Sequence, residues 1–284
     1  MWCQLTGATD HRVGRSSTMQ TPPVTFRTET EAAIAAVQNA LRTASGRVGS
    51  DHLTMKGARD IVTETDVVIE DALRTALSKT SAQDVVGEER GGRATDSAHW
   101  IVDPLCGTRN FASGIPLYCV NVALVENKRV TAAVVGDAST GDILIAEARS
   151  GAWALRRDAI HRLNATADSG SIIVEAGKST QNRREHAARF VSDFVRADRW
   201  ELLALSSTLS TAYVAAGRAA AYVQFFATTV HNAAGSLVAT EAGATVTDID
   251  GNPWTTDSDS LIASADPQLH DELLTLVHAT TARP

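Results

Sequence analysis

The most constraining stretch of the chain is Ala98 to Asp103, a short apolar run that stops abruptly at an acidic residue and continues as Pro104-Leu105-Cys106-Gly107-Thr108. Short apolar runs bounded by polar or turn residues read as buried strands. Asp84-Val85-Val86-Gly87 has the same form and leads into Glu88-Glu89. Carboxylates at neighbouring strand ends can converge on a divalent cation, and a proline fixes a bend that leaves backbone carbonyls free.

Around these runs the chain alternates between helical and extended patterning. Ala32, Ala33, Ile34, Val37, Ala40 and Leu41 follow helical spacing across Glu29 to Leu41. A second helix is expected to open at Asp66-Val67, with Val68, Ala72, Leu73 and Leu77 on one face. Strands are expected at Leu117 to Glu126, Val130 to Val135 and Asp142 to Glu147, with turns at Asn127-Lys128 and Ser139-Thr140-Gly141. A new unit starts near Ser171. It holds helices around Arg184 to Arg196, Ser206 to Ala216 and Ala233 to Ala242, and strands at Ala221 to Phe225 and Thr245 to Asp248. No regular strand-helix repeat runs through the chain, so a barrel is not expected. The reading is layered mixed α/β in two halves, 25–168 and 169–284, behind a poorly ordered tail at 1–24.

Composition narrows the function. A net charge of −7 and the lack of a long basic run argue against a nucleic-acid or anionic-membrane partner. No apolar stretch approaches the roughly 18 residues a membrane helix requires. Three cysteines, Cys3, Cys106 and Cys119, do not make a disulfide framework, so a reducing cytoplasm is expected. Cys119 lies in an apolar strand and reads as an inert buried thiol.

The run Trp100-Ile-Val-Asp-Pro-Leu-Cys-Gly-Thr-Arg-Asn-Phe111 resembles the first signature of the inositol monophosphatase-like superfamily, W-I-x-D-P-[IL]-D-G-T-x-N-F. Thr63-Glu64-Thr65-Asp66 and Gly87-Glu88-Glu89 match its T-x-x-D and G-E-E elements. Ala233-Ala234-Gly235 with Glu241-Ala242-Gly243 is similar to its second signature, W-D-x-A-A-G…E-A-G-G. The resemblance implies an αβαβα sandwich, often a homodimer. It implies metal ligands at Glu88, Asp103 and the Leu105 carbonyl, a water-orienting Thr108, and Lys56 and Asp66 near the substrate or a further ion.

The departures from the pattern carry their own expectations. Where the resemblance implies two aspartates on a second magnesium, this chain has Cys106 and His231. Acidic positions that contact polyol hydroxyls in the family are Ala220 and Gln224, with Leu205 and Phe226 in neighbouring segments. Magnesium requires hard oxygen donors, so a single magnesium, or none, is expected. A thiol beside an imidazole at a helix N-terminus suggests a lowered thiol pKa. The leading expectation is therefore Cys106/His231-dependent acyl transfer, addition or cyclisation on a less polar small metabolite. Three alternatives stand beside it. One is a magnesium-dependent phosphomonoesterase of reduced activity, another a zinc enzyme using Asp103, Cys106 and His231, and the last a non-catalytic binding protein.

Overall fold

Helical spacing in the sequence becomes one buried stripe on each outer helix. In the computed structural model, which describes residues 24–51, 53–56, 61–80, 83–95, 97–176 and 180–281, α1 (Thr28–Ser45) buries Ala33, Ala36, Val37, Ala40 and Ala44. After it come an antiparallel pair, β1 (Leu53–Met55) and β2 (Ile61–Thr63), and then α2 (Glu64–Ser78). α2 starts two residues earlier than expected, because Thr63 caps it: the Thr63 hydroxyl accepts from the Asp66 backbone N–H while the Asp66 carboxylate accepts from the Thr63 backbone N–H. Packing against α1 and the larger sheet selects the stripe. Ile69, Leu73 and Leu77 are buried, whereas Val68 and Ala72 face solvent.

A seven-stranded sheet follows, built from β3 (Asp84–Gly87), β4 (Ala98–Cys106), β5 (Cys119–Glu126), β6 (Arg129–Asp137), β7 (Ile143–Glu147), β8 (Ala152–Arg156) and β9 (Ala159–Arg162) in that spatial order. Only β3 and β4 run parallel; the later strands form an antiparallel meander. A short helix, α3 (Thr108–Ala112), sits between β4 and β5. The sheet is buried on both faces: β4 and β5 read as unbroken buried runs, not as alternating ones.

The remaining chain forms β10 (Ser171–Glu175), α4 (Gln181–Ala197), β11 (Glu201–Leu203), α5 (Leu209–Ala215), β12 (Ala221–Gln224), α6 (Thr229–Glu241), β13 (Thr245–Thr247), β14 (Leu261–Ser264) and α7 (Pro267–Thr281). These strands make a five-stranded sheet ordered β11-β10-β12-β14-β13. The helix expected from Ser206 begins only at Leu209, since Ser206 has a positive φ of 55° and Ser207 and Thr208 lie in the turn that follows. The expected tail at 1–24 falls almost wholly outside the described residues.

Three apolar clusters set the layering. One lies between α1 and α2 and the larger sheet, through Val37, Ile69, Trp100 and Phe111. Another lies beneath α5 and α6 between the two sheets, and a third under α4 and α7 through Phe190, Phe194 and Leu273. The result is the expected αβαβα sandwich. Fully burying a side chain such as Phe190 or Leu73 stabilises by roughly 1.5–3 kcal/mol, so the three clusters dominate the fold energy. Arg218, just before β12, pairs with Asp137 and Asp142 at 2.7 Å each and ties the two sheets together at one end.

Candidate active site

Two strands running in parallel bring two carboxylates to one place. Gly87 pairs with Val102 in register, so Glu88 leaves β3 beside Asp103 of β4. A Cβ on Gly87 would collide with the Glu70 carboxylate. Glu70 is buried and accepts from the backbone N–H groups of Glu89 at 2.6 Å and Arg90 at 2.9 Å, with Arg74 pairing to it at 2.8 Å. That internal carboxylate therefore shapes the loop carrying Glu88, and only glycine at position 87 leaves it room. Lys56 of the β1 end forms an ion pair with Glu89.

β4 does not stop at Asp103. It continues to Cys106 with a register shift against β5 between Asp103 and Cys106, where Pro104 removes one donor. The bulge turns the Leu105 carbonyl toward Thr108, whose hydroxyl donates to it at 3.1 Å and also lies 3.3 Å from Asp66 Oδ1. Gly107 then adopts φ 106° and opens α3; a Cβ there would stand 2.8 Å from the Leu117 carbonyl oxygen. From the other half, the first turn of α6 presents His231.

His231 Nδ1 lies 2.8 Å from Asp103 Oδ2, and His231 Nε2 lies 3.9 Å from Glu88 Oε1. Burial opposes the charged imidazole, but the Asp103 charge and hydrogen bond outweigh it and hold the His231 pKa well above its ordinary value. Asp103 is fully buried; burial alone would favour its protonated form, yet the His231 charge and hydrogen bond keep its carboxyl below the usual range. Burial, then the Asp103 charge, lift Glu88 to about 8. Burial lifts Asp66 to about 6, against the pull of its Thr63 hydrogen bonds and with help from the Glu89 and Asp103 charges.

Cys106 does stand beside His231: the donor atoms of Asp103, Cys106 and His231 lie within 4.8 Å of one another. Its thiol, however, is not activated. A hydrogen bond with Cys119 and burial push its pKa well above the ordinary value, against a smaller opposing effect from His231. Its sulfur lies 2.8 Å from Thr208 Oγ1 and accepts from the Thr208 backbone N–H at 3.3 Å. The expected lowering gives way to these raising effects: α3 is only five residues long, and the Cys106 sulfur is bonded to Thr208 at the entry to α5.

A cavity of about 560 Å³ opens onto this cluster. Glu88, Leu105, Cys106, Thr108, Gln224, Phe226 and His231 all line it. Asp103 sits behind its floor. Four residues expected at the substrate do not line the cavity. Ala220 is buried in the core under α4, and Leu205 packs against the inter-sheet cluster. Asp66 is buried in the α2 cap, and Lys56 is engaged with Glu89. The sequence reading missed Glu175, Ser206, Ser207 and Thr208, which also line the cavity. Glu175 ends a short apolar strand, the same signal that marked Asp103, and it stands in register with Gln224. It accepts from the Ser207 backbone N–H at 3.1 Å and from the Tyr222 hydroxyl at 3.2 Å.

The donors sort by chemistry. Glu88, Asp103 and the Leu105 carbonyl are hard oxygens, and burial beside the Asp103 charge raises the Glu88 pKa despite His231 and Lys56; this set fits magnesium. Asp103, Cys106 and His231 offer one hard oxygen, a sulfur and a ring nitrogen, and this set does not fit magnesium.

The profile of the inositol monophosphatase family matches residues 23–282. A protein of Mesorhizobium japonicum named inositol-1-monophosphatase is 33% identical over 224 residues, covering 77% of this chain and 83% of its own. A Xylella fastidiosa protein named Nus factor SuhB is 32% identical over 203 residues, covering 70% and 73%. The solved inositol monophosphatase of Thermotoga maritima superposes with a TM-score of 0.78 at 26% identity, covering 88% of this chain and 97% of its own. These likenesses overturn the expectation of a Cys106/His231-dependent transferase or cyclase. Two of these three proteins carry the name inositol monophosphatase, and none of the names lends support to zinc. The chain belongs to the inositol monophosphatase family.

Proposed function

We propose that this protein is a magnesium-dependent phosphomonoesterase acting on a small polyol or sugar phosphate. The observation that carries the reading is the grouping of Glu88 and Leu105, which line the cavity, with the buried Asp103 directly behind them and Thr108 beside them. Glu88, Asp103 and the Leu105 carbonyl would hold the ion, which supplies electrophilic activation of the phosphate and acidifies a bound water.

The chain's own residues do the rest. Thr108 Oγ1, placed between the Leu105 carbonyl and Asp66 Oδ1, accepts a hydrogen bond from the attacking water and can pass its own proton toward the Asp66 carboxylate. Hydrolysis then forms one P–O bond to water oxygen and breaks the P–O bond to the alcohol, which leaves with a proton. His231, on the opposite side of Asp103, fixes the orientation of that carboxylate. Gln224 and Phe226 form the far wall against the alcohol portion, and the buried Gln224 Oε1 has no hydrogen-bond partner, ready to accept from a substrate hydroxyl.

A small-molecule phosphate ester is the partner this reading requires, and a cytoplasmic homodimer is the setting that the resemblance and the scattered cysteines favour. No described helix is long and apolar enough to cross a membrane. The test is phosphate release from inositol 1-phosphate: the reading expects turnover with magnesium, loss with a chelator, and recovery on adding magnesium back. Turnover that ignores the chelator would refute it.

A further inference from the structure

Asp103 has two carboxylate oxygens, and their partners differ. Oδ1 accepts from the Leu105 backbone N–H at 3.2 Å, a local turn bond. Oδ2 faces His231 Nδ1 at 2.8 Å, with the Asn121 amide at 3.5 Å. The other ring nitrogen of His231 points at Glu88, 3.9 Å away. The imidazole thus stands between two carboxylates with a nitrogen toward each, in the position a cation would take to hold them together.

The surroundings keep the ring there. α6 presents it from its first turn, while Asn121 Nδ2 reaches the His231 carbonyl at 3.5 Å and Thr208 Oγ1 at 3.2 Å. Thr208 in turn fixes the Cys106 sulfur through both its hydroxyl and its backbone N–H. His231 Nδ1 and the Cys106 sulfur are therefore already engaged within the protein. A second ion here would meet a sulfur and a ring nitrogen where magnesium requires hard oxygens.

We propose that the His231 side chain replaces a second cation in this centre, bridging Asp103 and Glu88 so that the chain works with one divalent ion per protomer. This rests on the magnesium reading above, and makes His231 a positioning residue for Asp103, not a metal ligand. The ring's bond to Asp103 and its placement against Glu88 then hold the carboxylate pair in position as a second ion would, at the cost of the leaving-group contact that a second ion would supply.

The experiment is calorimetric titration of the full chain with magnesium and with manganese, independent of turnover. One ion per protomer is expected. Two ions overturn the inference while leaving the phosphatase reading intact; none overturns both. His231→Asp combined with Cys106→Asp restores oxygen donors and is expected to raise the stoichiometry to two; a double variant that still binds one overturns the claim that the ring excludes the second ion. Should that variant fail to fold, crystals of the unaltered chain soaked in manganese decide. An anomalous peak at Glu88 and Asp103 with the His231–Asp103 bond intact supports the inference, and a peak against His231 and Cys106 overturns it.

Discussion

His231 Nδ1 and Asp103 Oδ2 stand 2.8 Å apart across the junction of the two sheets, one at the start of α6 and the other in the middle of β4. The neighbouring thiol is governed by other contacts. The Cys106 sulfur is held by Thr208, and its hydrogen bond with Cys119 together with burial raises its pKa against the smaller pull of His231.

Cys106→Ser therefore tests the corrected role of the thiol. Serine keeps a small group able to accept from Thr208, and magnesium-dependent phosphate release is expected to stay within about tenfold, or about 1.4 kcal/mol. Iodoacetamide at neutral pH is expected to leave Cys106 of the native protein unmodified, read by mass spectrometry of its peptide. Rapid alkylation with matching loss of turnover would restore a nucleophilic role.

Thr108→Val removes the hydroxyl that lies between the Leu105 carbonyl and Asp66. Turnover is expected to fall by roughly 10²-fold or more, in kcat and not KM, while Thr108→Ser recovers most of it. Equal losses in both variants would point to packing.

Gly87→Ala drives a methyl group into the Glu70 carboxylate, which cannot retreat without releasing Glu89, Arg90 and Arg74. A loss of about 2 kcal/mol in urea unfolding is expected, with weakened magnesium binding as the Glu88 loop shifts. A variant as stable as the parent would show that the loop relaxes freely.

Glu175 supplies a pH signature. Burial lifts its pKa to about 7 from an ordinary 4.5, the hydrogen bonds from Ser207 and Tyr222 notwithstanding. Between those values the folded chain holds more protons than the unfolded one, so this group's contribution is fully present below pH 4.5 and is lost as the pH rises toward 7. The loss is on the order of 3 kcal/mol. Glu175→Gln is expected to flatten that part of the stability profile in urea melts at pH 5 and pH 8. An unchanged slope would remove Glu175 from the account.

The fold was legible because its signals are local. The Trp100 to Thr108 run, the Gly87-Glu88-Glu89 step and the helical stripe of α1 all report their element directly. The site was legible as a list of residues, since Cys106 and His231 do meet, but their chemistry was not. The rise in the thiol's pKa comes from Cys119, its partner across the β4–β5 pairing, and from burial, while Thr208, 102 residues away, holds the sulfur in place; none of these relations can be read from spacing. Ala220 and Leu205 were misplaced for a related reason. Alignment to a signature gives a position along the chain, whereas the side of β12 or of the α5 entry that faces the cavity depends on packing between sheets. Glu175 carried the right signal at a strand end, but its pairing with Gln224 emerges only from the β10–β12 register.

The most direct measurement is phosphate release from inositol 1-phosphate by the unaltered chain and by Glu88→Gln across a magnesium titration. The account predicts saturable activation of the parent, and in the variant a fall in turnover on the order of 10²-fold with magnesium affinity lost and the melting temperature preserved. A variant that hydrolyses the ester as fast as the parent at the same magnesium concentration would contradict it.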